Sequence, residues 1–324
     1  MYLDDRGDRI TDPETIQRIK DLVIPPAWAD VWICPTPIGH LQAVGTDAAG
    51  RRQYLYHPHW RTRRDQDKFD RMLEFARALP RLREVTSEHL AHDDLDRERV
   101  LACAVRLLDR GFFRIGSEAY AEDNGTFGLA TMHRSHVTLR RDGIVEFDYP
   151  AKGGKQHVQS VVDPEVFEVV ARLKRRRGDP QLLAWRQGRR WIDVRSDDIN
   201  AHIKDVAGEE YSAKDFRTWH GTVMAAVALA VAAPSARSRT AAKRAMVWAV
   251  KDVAQYLGNT PAVCRASYID PRVFDRYRSG WTIAGALKEL GRERYDEPEV
   301  QALIEEAVVD LIRGEDSAAI ERAA

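Results

Sequence analysis

Six residues have types and neighbours suited to chemistry on an anion. Arg114 stands in Phe112-Phe113-Arg114-Ile115-Gly116, between aromatics and a glycine. Lys152 opens Lys152-Gly153-Gly154-Lys155 at the tip of an expected hairpin, the part best able to reach a partner. Lys214 and Arg217 open a helix in Lys214-Asp215-Phe216-Arg217-Thr218-Trp219-His220. Asn259 follows helix-breaking Gly258, and Tyr268 stands nine residues further on. Guanidinium forks stabilise concentrated negative charge without a metal. A lysine can supply a proton, and a phenol near cations gives up its proton below the free value of about 10. Taken singly, each arginine reads as a surface ion pair and the tyrosine as a packed or rim residue.

Together and in this order, these residues resemble the type IB DNA topoisomerases, in their compact poxvirus and bacterial form. The likeness covers nearly the whole chain. It takes in Ile24-Pro25-Pro26-Ala27-Trp28, the stretch Gly50-Arg51-Arg52-Gln53-Tyr54-Leu55-Tyr56-His57, and Gly125-Thr126-Phe127-Gly128-Leu129-Ala130-Thr131 after the first arginine. In that family a tyrosine attacks a backbone phosphodiester, giving a 3′-phosphotyrosine and a free 5′-hydroxyl. The nicked strand swivels and the hydroxyl reattacks. The resemblance implies Tyr268 as nucleophile, Arg114 and Arg217 as phosphate-binding arginines, Lys152 as general acid and Lys214 as its helper. It implies Asn259 as a donor to a nonbridging oxygen, where many relatives carry histidine. Gly153 stands where relatives often have an acid, and the Gly-Gly turn leaves Lys155 as the alternative acid. Arg51, Arg52, Gln53, Tyr54 and Tyr56 are the implied duplex contacts; Tyr54 and Tyr56 share one face of a strand. Because the phosphotyrosine conserves bond energy, no ATP or other cofactor is implied, and the sequence has no Gly-x-x-x-x-Gly-Lys-Ser/Thr loop.

The elements that must hold these residues follow from periodicity and turn chemistry. Val31–Cys34, Leu41–Gly45 and Gln53–Tyr56 read as short strands, followed by a helix from Arg61 to Leu79 that Pro80 punctuates. Leu129–Arg140, Ile144–Tyr149 and His157–Val162 read as a three-stranded antiparallel sheet, with Asp142-Gly143 as its first hairpin turn. Helices are expected over Arg99–Leu108, Asp163–Arg177, Ser196–Val206, Lys214–Ala232, Arg237–Leu257, Thr282–Leu290 and Pro298–Ile312. The expected fold is α+β, a two-domain clamp. A β-rich DNA-clamp domain occupies 1–85, and a mainly helical catalytic domain with acidic C-terminal helices occupies 86–324. Duplex DNA would lie between them, bound by a monomer.

The 324 residues carry 50 basic and 50 acidic side chains. The neutral total hides an uneven distribution. Between Ala171 and Arg190 there are eight basic residues and one acid, whereas from Glu289 to the end eleven acids face four bases. The basic run reads as a solvated helix face or as part of a nucleic-acid footprint. The longest apolar run, Val223–Ala233, is about half of the ~20 residues of a bilayer span. No secretory pattern opens the chain, and three scattered cysteines form neither a disulfide framework nor a CxxC zinc pair. A cytoplasmic, nucleoid-associated protein is expected. His133 and His136, read on a strand, would point to opposite faces, so no metal site is expected. Two rivals stay open. A tyrosine recombinase usually carries His-x-x-Arg in place of Lys214-x-x-Arg217 and a helical amino-terminal domain. A non-catalytic DNA-binding relative would keep the scaffold and form no covalent adduct.

Overall fold

The computed structural model describes residues 1–236, 238–290 and 298–322. The acidic stretch 291–297 therefore lies outside the described residues. The chain divides into two compact units, Met1–Arg71 and Met72–Ala324.

In the first unit, helix α1 (Pro13–Asp21) starts with proline at its first position and Asp12 as its cap, accepting from the Thr15 N–H at 2.8 Å. Strands β1 (Ala29–Ile33), β2 (Leu41–Thr46) and β3 (Arg52–Tyr56) form an antiparallel sheet in the order β1-β2-β3. The register sets Trp32, Val44 and Tyr54 side by side on one face. Helix α2 (Pro58–Leu90) begins here, and its remainder belongs to the second unit.

Pro80 does not end α2 as expected; it lies inside the helix. Leu79, Leu82, Val85 and Leu90, on both sides of it, are all buried. Each such side chain contributes ~1.5–3 kcal/mol, which together outweigh the ~3 kcal/mol cost of an internal proline. The division between the two compact units, Arg71/Met72, falls within this helix.

The second unit is built around α3 (Arg97–Gly111), whose residues from Val100 to Leu108 are buried apart from Arg106. Then follow α4 (Glu118–Asn124) and strands β4 (Val137–Leu139), β5 (Ile144–Ala151) and β6 (Lys155–Val162), an antiparallel meander. Next come α5 (Pro164–Lys174), the hairpin β7 (Ala184–Gln187) and β8 (Arg190–Asp193), α6 (Ser196–Ala207), α7 (Ala213–Ala232) and α8 (Arg239–Leu257). The chain continues with α9 (Pro261–Ser267), α10 (Pro271–Arg278), β9 (Trp281–Thr282), α11 (Ala284–Leu290), α12 (Pro298–Arg313) and β10 (Glu321–Arg322), which pairs with β9.

Three local expectations are corrected. Leu129–Arg140 is not one strand: single 3-10 turns occupy Leu129–Thr131 and Arg134–His136 before β4. Its backbone is used elsewhere, since the Leu129 and Ala130 N–H groups donate to the Arg114 and Ile115 carbonyls at 2.8 and 2.7 Å. The turn also sets the His133 and His136 rings side by side, stacked at 5.1 Å, rather than on opposite faces. The basic run from Ala171 is not a single helix face. Arg176 is buried against Asp193 and Trp191, Lys174 Nζ donates to the Arg134 carbonyl at 2.7 Å, and the later arginines lie on the β7–β8 hairpin. The acidic C-terminal helices join the core, through Val300, Ile304, Val308 and Leu311 of α12. Among the described residues no helix is long and apolar enough to cross a membrane.

Candidate active site

Arg114 lies just past the end of α3, where Phe112 caps the helix in the left-handed region at φ 53°. The turn holding it is built by close glycine contact: a Cβ on Gly128 would come within 2.4 Å of the Gly116 Cα. No other residue fits there without displacing the Arg114 loop. Arg114 Nη2 donates to the Gly258 carbonyl at 3.0 Å and to the Oδ1 of Asn259.

Helix α7 starts at a reciprocal cap in which the Ser212 N–H and hydroxyl both donate to the Asp215 carboxylate, at 2.9 and 3.0 Å. This fixes the first turn. It leaves Lys214 exposed and turns Arg217 inward, where it is only 4% exposed. Arg217 Nη1 donates to the Phe112 carbonyl at 2.5 Å and Nη2 to the Leu257 carbonyl at 2.6 Å. These carbonyls end α3 and α8, where no helical N–H remains to pair with them and the helix dipoles are negative. The guanidinium is thus clamped between two helix C-termini. Burial and the neighbouring Arg114 lower its pKa, an effect that Tyr268 opposes. A guanidinium stays charged under such conditions.

Helix α8 ends at Gly258 in the left-handed region, φ 59°, and the next N–H, of Asn259, returns to the Ala254 carbonyl at 2.9 Å. The Asn259 Nδ2 is buried and has no hydrogen-bond partner among the described residues. Helix α9 then delivers Tyr268 at its C-terminal end. The Tyr268 backbone is held by α7. A Cβ on Gly221 would lie 2.6 Å from the Tyr268 carbonyl oxygen. The adjacent Thr222 hydroxyl donates to the Thr218 carbonyl at 2.9 Å and accepts from the Asp270 N–H at 3.1 Å. The Arg217 guanidinium carbon lies 5.2 Å from the Tyr268 ring centre. Burial raises the pKa of this phenol, but Arg217, Arg114 and Lys214 more than offset it, and the net shift is below the ordinary tyrosine value.

Lys152 sits where β5 turns into β6, with Gly153 and Gly154 both at positive φ. A cavity of about 240 Å³ is lined by Arg114, Lys152, Lys214, Arg217 and Tyr268, beside Thr126 and Phe127. Five of the six expected residues therefore line one cavity, and Asn259 joins them through Arg114. Lys155, paired across the strands with Ala151, is not among the lining residues. The reading of the sequence missed Gly221 and Thr222, although their place one turn after Arg217 on α7 was a usable signal. Among the described residues no group of three His, Cys, Asp or Glu side chains is placed to hold a metal ion.

The five amino-terminal candidates divide into two sets. Arg51 and Gln53 are engaged with Asp47, Arg51 through an ion pair at 2.9 Å and Gln53 Nε2 through a hydrogen bond at 2.9 Å. These bonds and the Arg51 and Ala49 N–H groups hold the Asp47 carboxyl down at about 2. Arg52 is exposed, and Tyr54 is 49% exposed. Tyr54 stacks on Tyr56, Tyr56 on Trp60, and Arg64 lies over the Tyr56 and Trp60 rings at 5.9 and 5.2 Å. Trp60 and Arg64, one helical turn apart on α2, extend this row beyond what the strand pattern indicated.

Comparison with known proteins identifies the family. The family described as "Eukaryotic DNA topoisomerase I, catalytic core" matches residues 57–290, and "Bacterial DNA topoisomerase IB, N-terminal domain" matches residues 1–47. DNA topoisomerase 1B of Acanthamoeba polyphaga mimivirus is 26% identical over 284 residues, 86% of this chain and 84% of that protein. DNA topoisomerase 1B of Vaccinia virus (strain Copenhagen) is 26% identical over 102 residues, 32% of each chain. DNA topoisomerase 1 alpha of Arabidopsis thaliana is 22% identical over 160 residues, 49% of this chain and 16% of that protein. The chain belongs to the type IB DNA topoisomerases, enzymes that relax supercoiled DNA.

Proposed function

We propose that Tyr268 is the nucleophile of a reversible transesterification that nicks one strand of duplex DNA. The observation that carries this is the phenol lying against the buried Arg217 guanidinium, its pKa depressed, in a cavity shared with Arg114 and Lys152. The phenol loses its proton to solvent, and its oxygen bonds to phosphorus as the bond from phosphorus to the 5′-oxygen breaks. The strand is left joined to Tyr268 through its 3′-phosphate. Arg114 and Arg217 hold the nonbridging oxygens as negative charge builds on them, and the free Asn259 Nδ2 donates to one of them. The departing 5′-alkoxide takes a proton from Lys152, with Lys214 beside it. After the strand swivels, the 5′-hydroxyl attacks the phosphotyrosine and the same groups act in reverse. The bond energy is conserved, so no nucleotide is consumed.

For the rest of the chain we propose a clamp of two domains closing on duplex DNA, the first supplying Arg52, Tyr54, Tyr56, Trp60 and Arg64 to the backbone and grooves. The active form is a monomer working in the cytoplasm on chromosomal DNA. The test is relaxation of supercoiled plasmid in EDTA without ATP, with a detergent quench. The native protein should relax the plasmid and yield a covalent adduct at Tyr268. Tyr268→Phe should bind DNA and yield none. An adduct at Tyr256 or Tyr277 would overturn the assignment, and strand exchange between two duplexes would indicate a recombinase instead.

A further inference from the structure

A larger cavity of about 630 Å³, which the chemistry above does not use, has Phe112 in its wall. Two helical stripes of period four face into it: Val223, Val227 and Val231 on α7, and Trp248, Asp252 and Tyr256 on α8. The sheet contributes Val161 and Val162, and α12 contributes Ile304 and Glu305. Trp248 and Tyr256 are each 53% exposed, so both rings remain open to a partner.

The charges in this cavity do not balance. Asp109 and Glu305 share one guanidinium, that of Arg83, at 2.8 and 2.7 Å, and Asp109 also lies 3.1 Å from His220 Nε2. Asp252 lines the cavity with no ion-pair partner among the described residues. Arg110 also lines it, but its Nε lies 3.7 Å from Asp163. An aromatic and aliphatic chamber of ordinary ligand size with a surplus of carboxylates suits an organic cation.

The cavity also touches both supports of Arg217. Its wall includes Phe112, whose carbonyl accepts from Arg217 Nη1, and Tyr256, which precedes Leu257, whose carbonyl accepts from Nη2. The Phe112 ring packs on His220 at 5.2 Å and on Tyr256 at 6.4 Å. A body seated in the cavity packs against the Phe112 and Tyr256 rings, beside the two carbonyls that hold Arg217.

We infer that this cavity binds an amphiphilic organic monocation, an apolar body bearing one protonated amine that faces Asp252, and that its occupancy slows DNA cleavage by loosening Arg217. The second half rests on the phosphate-binding role proposed for Arg217; the first does not.

Calorimetric titration of the full chain with 4-phenylbutylamine, 4-phenylbutanol and 4-phenylbutanoate separates the two halves. The amine should bind best, about tenfold more tightly than the alcohol, the low end for a hydrogen bond to a charged group. The carboxylate should bind worst. Asp252→Asn should equalise amine and alcohol, and Val227→Trp, which puts an indole into the chamber, should weaken binding of all three at least tenfold. Equal binding of amine and carboxylate, or undiminished binding to a folded Val227→Trp protein, would overturn the site. Single-turnover cleavage of a duplex oligonucleotide should slow at saturating amine in the native protein and less at the same concentration in Val227→Trp. Tight amine binding with an unchanged cleavage rate would overturn the coupling to Arg217. A protein that binds the amine but never cleaves DNA would instead refute the proposed reaction.

Discussion

Arg114 donates to the Oδ1 of Asn259, and this pairing leaves the Asn259 Nδ2 as a buried donor with no partner among the described residues. An unpaired buried donor costs roughly 1–3 kcal/mol, a cost that a phosphate oxygen would remove. Asn259→Ala should lower single-turnover cleavage by roughly 10²–10³-fold, typical for loss of one charge-stabilising donor. Asn259→Asp keeps an oxygen for Arg114 but replaces the donor with negative charge, so it should be at least as slow as alanine. Asn259→His should retain much of the rate and add a pH dependence near ~6.5. An aspartate variant as fast as the native protein would remove Asn259 from the phosphate.

The seat of Tyr268 depends on one glycine. In Gly221→Ala the new methyl would overlap the Tyr268 carbonyl oxygen, which is backbone and cannot swing aside as a side chain can. Cleavage should fall at least tenfold while DNA binding stays near native, because a shift of about 1 Å in a reacting group costs ~10²-fold. Thr222→Val removes the acceptor for the Asp270 N–H and should lower stability by ~1–3 kcal/mol, measured by denaturant unfolding. Unchanged cleavage in Gly221→Ala would show that α7 does not position the nucleophile.

Burial raises the Tyr268 pKa, and Arg217, Arg114 and Lys214, in that order of strength, bring it below the ordinary value. Each cation favours the phenolate, so removing one must raise the pKa. The rising limb of the cleavage rate against pH should therefore move to higher pH in Lys214→Met, and further in Arg114→Ala. Arg114→Lys should leave the limb nearly in place even if the rate falls. Limbs that coincide in all four proteins would mean that phenol ionisation does not control the profile.

The network behind the site predicts a stability effect. Arg83 bridges Asp109 and Glu305, and the Asp109 carboxyl, although raised by burial, is held well below the usual range by Arg83 and His220. Arg83→Met leaves two carboxylates buried without their cation and should cost ~3–5 kcal/mol at neutral pH. A depressed carboxyl contributes stability above its unfolded pKa of about 3.9, and that contribution is lost as pH falls through its folded value. In Arg83→Met burial is no longer offset by that cation, so the carboxyls take up protons at higher pH than in the native protein, and the gap between the two should narrow in acid. Denaturant midpoints at pH 7 and pH 4 give the comparison; a gap that widens in acid would contradict the pairing.

Features set by local chemistry were legible in the sequence. Asp142 and Gly143 adopt φ of 63° and 74°, as a two-residue hairpin turn requires, and α7 spans the expected run to within one residue. Where long-range contacts override local preference, the reading failed. Pro80 stays helical because buried leucines flank it, and Leu129–Thr131 gives up strand pairing because its N–H groups reach the Arg114 loop. The supports of Arg217 could not be read either. Phe112 and Leu257 are 105 and 40 residues away from it, and each contributes only a backbone carbonyl, which any residue type carries.

The hairpin poses a choice that the sequence left open. Lys152 lines the cavity with Tyr268 and Arg217, whereas Lys155 is the first residue of β6 and is absent from that wall. A general acid must reach the leaving oxygen, so position decides before pKa does. Lys152→Ala should slow cleavage of an ordinary phosphodiester by roughly 10²–10⁴-fold, the usual contribution of a placed proton donor. A substrate with sulfur at the 5′-bridging position leaves as a thiolate and needs no proton, so Lys152→Ala should cleave it almost as fast as the native protein. Lys155→Ala should behave like the native protein on both substrates. The measurement is single-turnover cleavage of the matched pair by all three proteins. Equal slowing of both substrates in Lys152→Ala would make that lysine a phosphate contact instead, and a sulfur-specific rescue of Lys155→Ala would move the acid to the other side of the Gly-Gly turn.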